Sequence, residues 1–281
     1  MRRYLLFAVA GIVLLLSAID ATAVAVAFPV IISSLNASLI LAGWVPSAYQ
    51  LAVTTVMPLA GKVSDALGRK LTFMVFLSLF TVGSLLCSIA PNVQSLIVFR
   101  LFQGLGGSGF LPSANGIVAE EFPRSRQQAI GLFISIFPIG LIIGPNLGGW
   151  MTSVLGWRSI FWINIPLGLV ILVVSALLLP AGQRSKSHID LVGSGLFASA
   201  LVGLMTGITE MGSTDTKPPW ALVGVLLSGG IASLILFARR QTRVNDPIIE
   251  PEAITRGLRT MPRLGQGNGL ACVGWDLSLR C

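Results

Sequence analysis

The stretch LLFAVAGIVLLLSAIDATAVAVAFPVII, residues 5–32, decides the fold. A helical span needs about 20 apolar residues to cross a bilayer core, and this run is long enough to cross with tilt. Its start, MRR, together with ATA at residues 21–23, has the form of a secretory signal with a small-residue cleavage site. The apolar run does not stop there. It continues to Ile32, beyond the length of a signal core, so it reads as a membrane helix. Inside it stands one carboxylate, Asp20. An acid at that depth is costly in hydrocarbon and marks a functional position.

The rest of the chain has the same character. Of 281 residues, 54% are hydrophobic and 11% are charged, and the mean hydropathy is +0.84. Soluble domains carry about 25% charged residues, so this is an integral membrane protein with an all-α transmembrane fold. Spans are expected near 5–31, 44–60, 71–90, 94–119, 129–154, 159–179, 191–210 and 220–238. Arg2, Arg3, Lys62, Arg69, Lys70, Arg124, Arg126, Arg184, Lys186, Arg239, Arg240 and Arg243 then fall on one side, and Arg158 and Lys217 on the other. Basic loops stay in the cytoplasm, so both chain ends are expected there. The net charge of +8 is spread between spans and forms no patch for nucleic acid. Three cysteines make no disulfide framework. No nucleophile, metal-ligand cluster or phosphate loop stands out, so neither an enzyme nor a cofactor or metal is expected.

Four segments carry chemistry or mechanics. GKVSDALGRK, residues 61–70, reads as a tight loop between two spans, with Gly61 and Gly68 free to turn and Asp65 facing Arg69 four residues on. Arg100, in LIVFRLFQGLGGSG, lies inside the fourth span and either faces the bundle interior or snorkels to the interface. The glycines after it spell G-x-G-x-x-G, yet no strand precedes them, so they read as a surface for close helix packing. GLIIGPNLGG, residues 140–149, sets Gly140, Gly144 and Gly148 on one face beside Pro145 and Gly149. That face suits either dimerisation or a bendable gating helix, and the proline favours the second. A faint repeat also aligns ALGRKLTF (66–73) with VLGWRSIF (154–161) on opposite sides of the membrane, as in inverted-topology transporters. At 1.5 Å per residue, Asp20 and Arg100 lie at about 15 Å and about 12 Å from the outer surface on antiparallel spans, close enough to meet.

These segments resemble the major facilitator superfamily, and within it the N-terminal part of the fourteen-span drug:proton antiporters. AIDATAVAVAFP resembles that group's first-helix signature, GKVSDALGRK the loop motif between the second and third helices, RLFQGLGGSG the fourth-helix motif, and GLIIGPNLGG the antiporter motif of helix five. WRSIFWINIPLG, residues 157–168, and the two spans after residue 190 also resemble the fourteen-span group. The resemblance implies proton-coupled efflux of small hydrophobic or cationic compounds. It implies a proton-coupling pair of Asp20 and Arg100, a conformational latch at Gly61, Asp65, Gly68, Arg69 and Lys70, and a gating helix at Gly140, Gly144, Pro145, Gly148 and Gly149.

The expected organisation is an N-terminal six-helix half over residues 1–180, two linker-type helices over 181–253, and a tail over 254–281 outside the resemblance. Family members continue with a second half, so a truncated or frame-shifted end is expected here. The expected partners are a small-molecule substrate, protons and the lipid bilayer, with a separate second half or a homodimer completing the cavity. An inactive fragment or assembly partner, or a carrier of a sugar, siderophore or osmolyte, are the competing readings.

Overall fold

A computed structural model describes residues 2–179, 190–211 and 220–241. The expected boundaries at 180/181 and 253/254, the tail, and the loop cations Arg184, Lys186, Lys217 and Arg243 lie outside those residues. The described chain forms helices α1 (Arg2–Leu35), α2 (Leu39–Leu67), α3 (Arg69–Ser88), α4 (Val93–Gly107), α5 (Phe110–Glu121), α6 (Arg126–Ile134), α7 (Ile136–Leu155), α8 (Ser159–Trp162), α9 (Asn164–Leu178), α10 (Leu191–Met211) and α11 (Trp220–Gln241). Seven helical segments among the described residues are long and apolar enough to cross a membrane. The span expected over 94–119 is present as two helices, α4 and α5, interrupted at Ser108 and Gly109.

Local chemistry sets the ends. Ser38 caps α2 through a 3.3 Å bond from the Leu41 N–H to its hydroxyl. Asn92 and Ser95 form a reciprocal capping box at the start of α4. Large apolar side chains such as Ile142, Trp150, Leu177 and Val225 point outward and are exposed. A backbone bonded within its own helices and an apolar exterior are what a lipid solvent demands.

One expectation is corrected here. Residues 61–67 are not loop: α2 runs on through Leu67, and the connection to α3 is the single residue Gly68. Its φ of +94° lies in the region that favours glycine, as does the +81° of Gly156 at the end of α7. Both aligned octapeptides therefore end a helix at a glycine of positive φ, although Gly68 alone joins α2 to α3 whereas residues 156–158 join α7 to α8. Their cations act alike too. Lys70 Nζ donates to the carbonyls of Ala176 and Leu179 at 2.8 and 2.7 Å, capping α9. Arg158 Nη2 donates to the carbonyl of Ala90 at 2.9 Å, just beyond α3. Helices α3 and α9 pack together, so Lys70 at the start of α3 caps the end of α9, while Arg158, at the start of α8, holds the chain that leaves α3.

The pair α10 and α11 pack on each other, and α10 also rests on α2. Asp190 caps the start of α10 by accepting the Gly193 N–H at 2.9 Å, and it binds Arg240 through both oxygens at 3.0 to 3.1 Å. The Arg240 bonds hold the Asp190 carboxyl below its usual range. Its stabilising contribution is present above the ordinary carboxylate pKa and is lost as pH falls through the lowered one.

Replacing Lys70 or Arg158 by Met should each cost about 1 kcal/mol. The double variant should be additive, because the caps lie at opposite ends of α3 and α9. Thermal unfolding of the purified chain checks this.

Candidate functional site

Two apolar clusters divide the bundle. One contains Leu14 and Leu16 of α1 with Phe73, Leu77 and Phe80 of α3, and Phe110 of α5. The other contains Ala23 and Val24 of α1, Cys87 of α3, Leu96 of α4 and Phe161 of α8. Asp20 on α1, Ser84 on α3, and Arg100 and Gln103 on α4 fall between them along their helices, forming a polar layer enclosed by apolar ones. The side chains of Asp20 and Arg100 are 0% and 1% exposed. The interior reading of Arg100 holds, and the snorkelling one does not.

The carboxylate is fully engaged. Arg100 Nη1 donates to Asp20 Oδ2 at 2.7 Å, while Oδ1 accepts from Gln103 Nε2 at 3.1 Å and from Asn164 Nδ2 at 2.9 Å. Arg100 also donates to Gln103 Oε1 at 2.7 Å and, through Nε, to the Val45 carbonyl at 3.4 Å. Gln103 passes a further bond to Ser84 Oγ at 2.9 Å. A buried charge is tolerated only when its partner and the remaining lone pairs are satisfied, and this layer meets that demand.

The other residues marked in the sequence divide into two places. At the end of the bundle that holds the start of α3, Arg69 binds Glu120 of α5 at 2.7 Å and Asp65 at 3.7 Å. Gly61 lies within α2, where an added Cβ would make only ordinary contact with Pro112. On α7, an added Cβ at Gly140 or Gly148 would lie 2.5 Å from Ala18 or Ala23 of α1, and one at Gly144 would overlap Thr22. The glycine face of α7 is thus occupied by α1 within the chain, which leaves it unavailable for dimerisation. Pro145 sits inside α7, and Gly149 faces Val26.

Next to the polar layer is a cavity of about 340 Å³, lined by Ser17, Tyr49, Gln50, Met57, Phe110 and Phe137 among others. That volume falls in the range of small-molecule sites. Its described lining carries no charged side chain.

Residues 10–239 match the profile of the Major Facilitator Superfamily. The chain belongs to that superfamily. It is 31% identical over 250 residues to Multidrug transporter protein MdtP of Bacillus subtilis, covering 88% of this chain and 46% of that protein. It is 32% identical to the Tetracenomycin C resistance and export protein of Streptomyces glaucescens, covering 86% and 45%. For Multidrug resistance protein 3 of Bacillus subtilis the identity is 33%, covering 86% and 48%. The chain spans about half the length of these relatives. The crystal structure of the POT family transporter PepTSo aligns with a TM-score of 0.54 over 92% of this chain and 57% of that one, at 17% identity, a likeness of fold.

In this member of the superfamily, the sequence pointed to the acid and the arginine but not to the amides that complete the layer. Gln103 stands one helical turn after Arg100, and Asn164 is the amide in the apolar run WINIPLG. A lone amide in such a run is the signal that would have found both, because burying it demands a partner.

Replacing Arg100 by Leu should destabilise the chain by about 3 to 5 kcal/mol, since it strands the Asp20 charge. Adding Asp20→Asn should recover much of that loss. Chemical unfolding of the single and double variants checks both.

Proposed function

We propose that this chain forms one half of a proton-coupled exporter of small hydrophobic or cationic compounds. Residues 1–180 would be the six-helix half and 181–253 would carry the linker pair. The protein would sit in the inner or plasma membrane with both ends in the cytoplasm. The observation that carries the reading is the Asp20–Arg100 pair, buried beside an uncharged cavity.

Asp20 would be the proton carrier. Ionised, it balances Arg100 and accepts from Gln103 and Asn164. Protonated, it no longer balances the guanidinium, and a buried unpaired charge is costly enough to drive repacking of the layer. The layer therefore has two arrangements, selected by one proton. The Arg69, Asp65 and Glu120 contacts, with Lys70 on α9, would hold one conformation as a latch. The glycine face of α7 on α1, with Pro145 beside it, would bend between them.

The cavity supports hydrophobic compounds over sugars, because its lining is mainly apolar. Relatives bearing multidrug and export names support the same class. The facing wall would come from a second half or a second copy, since transporters of this design bind at the interface of two halves.

The test is ethidium extrusion from a drug-sensitive host expressing this chain with a six-helix second half from a relative, under an imposed proton gradient. Efflux should require both pieces, and Asp20→Asn should reduce gradient-driven efflux to the empty-vector level. Undiminished gradient-driven efflux by Asp20→Asn contradicts the proposed proton carrier.

A further inference from the structure

Tyr49 stands at the boundary between the cavity and the polar layer. Its ring lies against the Arg100 guanidinium, 4.2 Å from ring centroid to Cζ, with Phe161 farther off at 5.6 Å. Its hydroxyl is 3.3 Å from Ser17 Oγ, on the cavity wall. One turn earlier on the same helix, the Val45 carbonyl receives Arg100 Nε. The residue lines the cavity yet is only 3% exposed.

The helix opposite is shaped for this ring. An added Cβ at Gly107 would lie 2.6 Å from the Tyr49 hydroxyl oxygen, and one at Gly104 would lie 2.6 Å from the Tyr49 carbonyl oxygen. The glycines that follow Arg100 therefore do more than bring helices together. They make the slot that holds Tyr49 over the guanidinium.

We propose that Tyr49 is the positioning residue that couples occupation of the cavity to Asp20. With the ring seated, it separates the carboxylate from the cavity. A ligand entering the cavity displaces the ring, uncovers the guanidinium and opens Asp20 to water. The inference rests on the proton-carrier reading of Asp20. The ionisable groups close to that carboxylate are Arg100 on α4, Tyr49 on α2 and Cys87 on α3. Helices α7, α8 and α9 contain no ionisable residue. Glu120 and Glu121 lie at the far end of α5, paired with Arg69 and Arg2. The ring face on Arg100, the Ser17 contact and the slot at Gly104 and Gly107 hold the partition, and an entering ligand must displace the ring from all three.

The test measures access to Asp20 in the full chain in lipid nanodiscs. A water-soluble carbodiimide with glycine methyl ester labels the carboxyl at fixed pH, and peptide mass reads the rate. Tetraphenylphosphonium, a cation that does not titrate, is the cavity probe. Wild-type labelling should be slow and about tenfold faster with the probe, within the usual range of coupling between sites. Tyr49→Leu should label fast with or without it. Gly107→Ala, which pushes against the hydroxyl, should also label fast. Adding Tyr49→Phe to Gly107→Ala should restore slow, probe-dependent labelling, because the oxygen 2.6 Å from the new methyl group is gone and the ring carbon at 3.2 Å has to give by only a few tenths of an ångström. A purely structural role for Tyr49 predicts no such rescue. Wild-type labelling that ignores the probe, slow labelling of Tyr49→Leu, or fast labelling of Gly107→Ala that Tyr49→Phe does not rescue overturns the proposal. Labelling reads access without transport, so a failed efflux result and a failed partition remain distinguishable.

Discussion

A carboxylate and a guanidinium buried side by side constrain the rest of this bundle. In a low-dielectric interior, each charge needs the other, and each leftover lone pair needs a donor. Asp20 on α1 therefore draws in Arg100 and Gln103 from α4 and Asn164 from α9, while Ser84 of α3 completes the chain of bonds. Groups from four helices reach one point only if the helices come close. The small residues follow from that need: a Cβ at Gly83 would fall 2.5 Å from the Gln103 backbone, and the α7 glycines let α1 lie almost against their main chain.

The same bundle carries a symmetry in its turns. Gly68 and Gly156 break two long helices with matching positive φ, and the cation two residues on reaches across to cap a neighbour. The first turn ties α3 to the end of α9, and the second ties the start of α8 to the chain just beyond α3. Lys70 thus joins the segment at residues 61–70 to α9, while Arg69 joins it to α5. A movement of one helix end would have to break or carry both contacts, which gives a short segment leverage over a large body.

Much of this was legible in the sequence, because membrane spans are written in apolar length and the two buried charges stand alone against them. Asp20 and Arg100 were visible as anomalies and their depths as matching. What escaped was neutral or geometric. Gln103, Asn164 and Tyr49 carry no charge to mark them, and their importance comes from contacts across helices that no local pattern encodes. The segment 61–67 reads as loop because it is polar, yet a helix end beyond the apolar core remains helical where polar groups satisfy it. The fourth span reads as continuous, but Ser108 and Gly109 interrupt it where α4 hands over to α5.

We propose that Asp20 exchanges a proton inside the folded bundle. Infrared spectroscopy of the chain in lipid, titrated with pH, tests it most directly. A carboxylic C=O band should rise and fall reversibly while the helices stay folded and be missing in Asp20→Asn. If no band assignable to Asp20 responds to pH anywhere in the range where the chain remains folded, Asp20 is a structural ion-pair partner and the account fails.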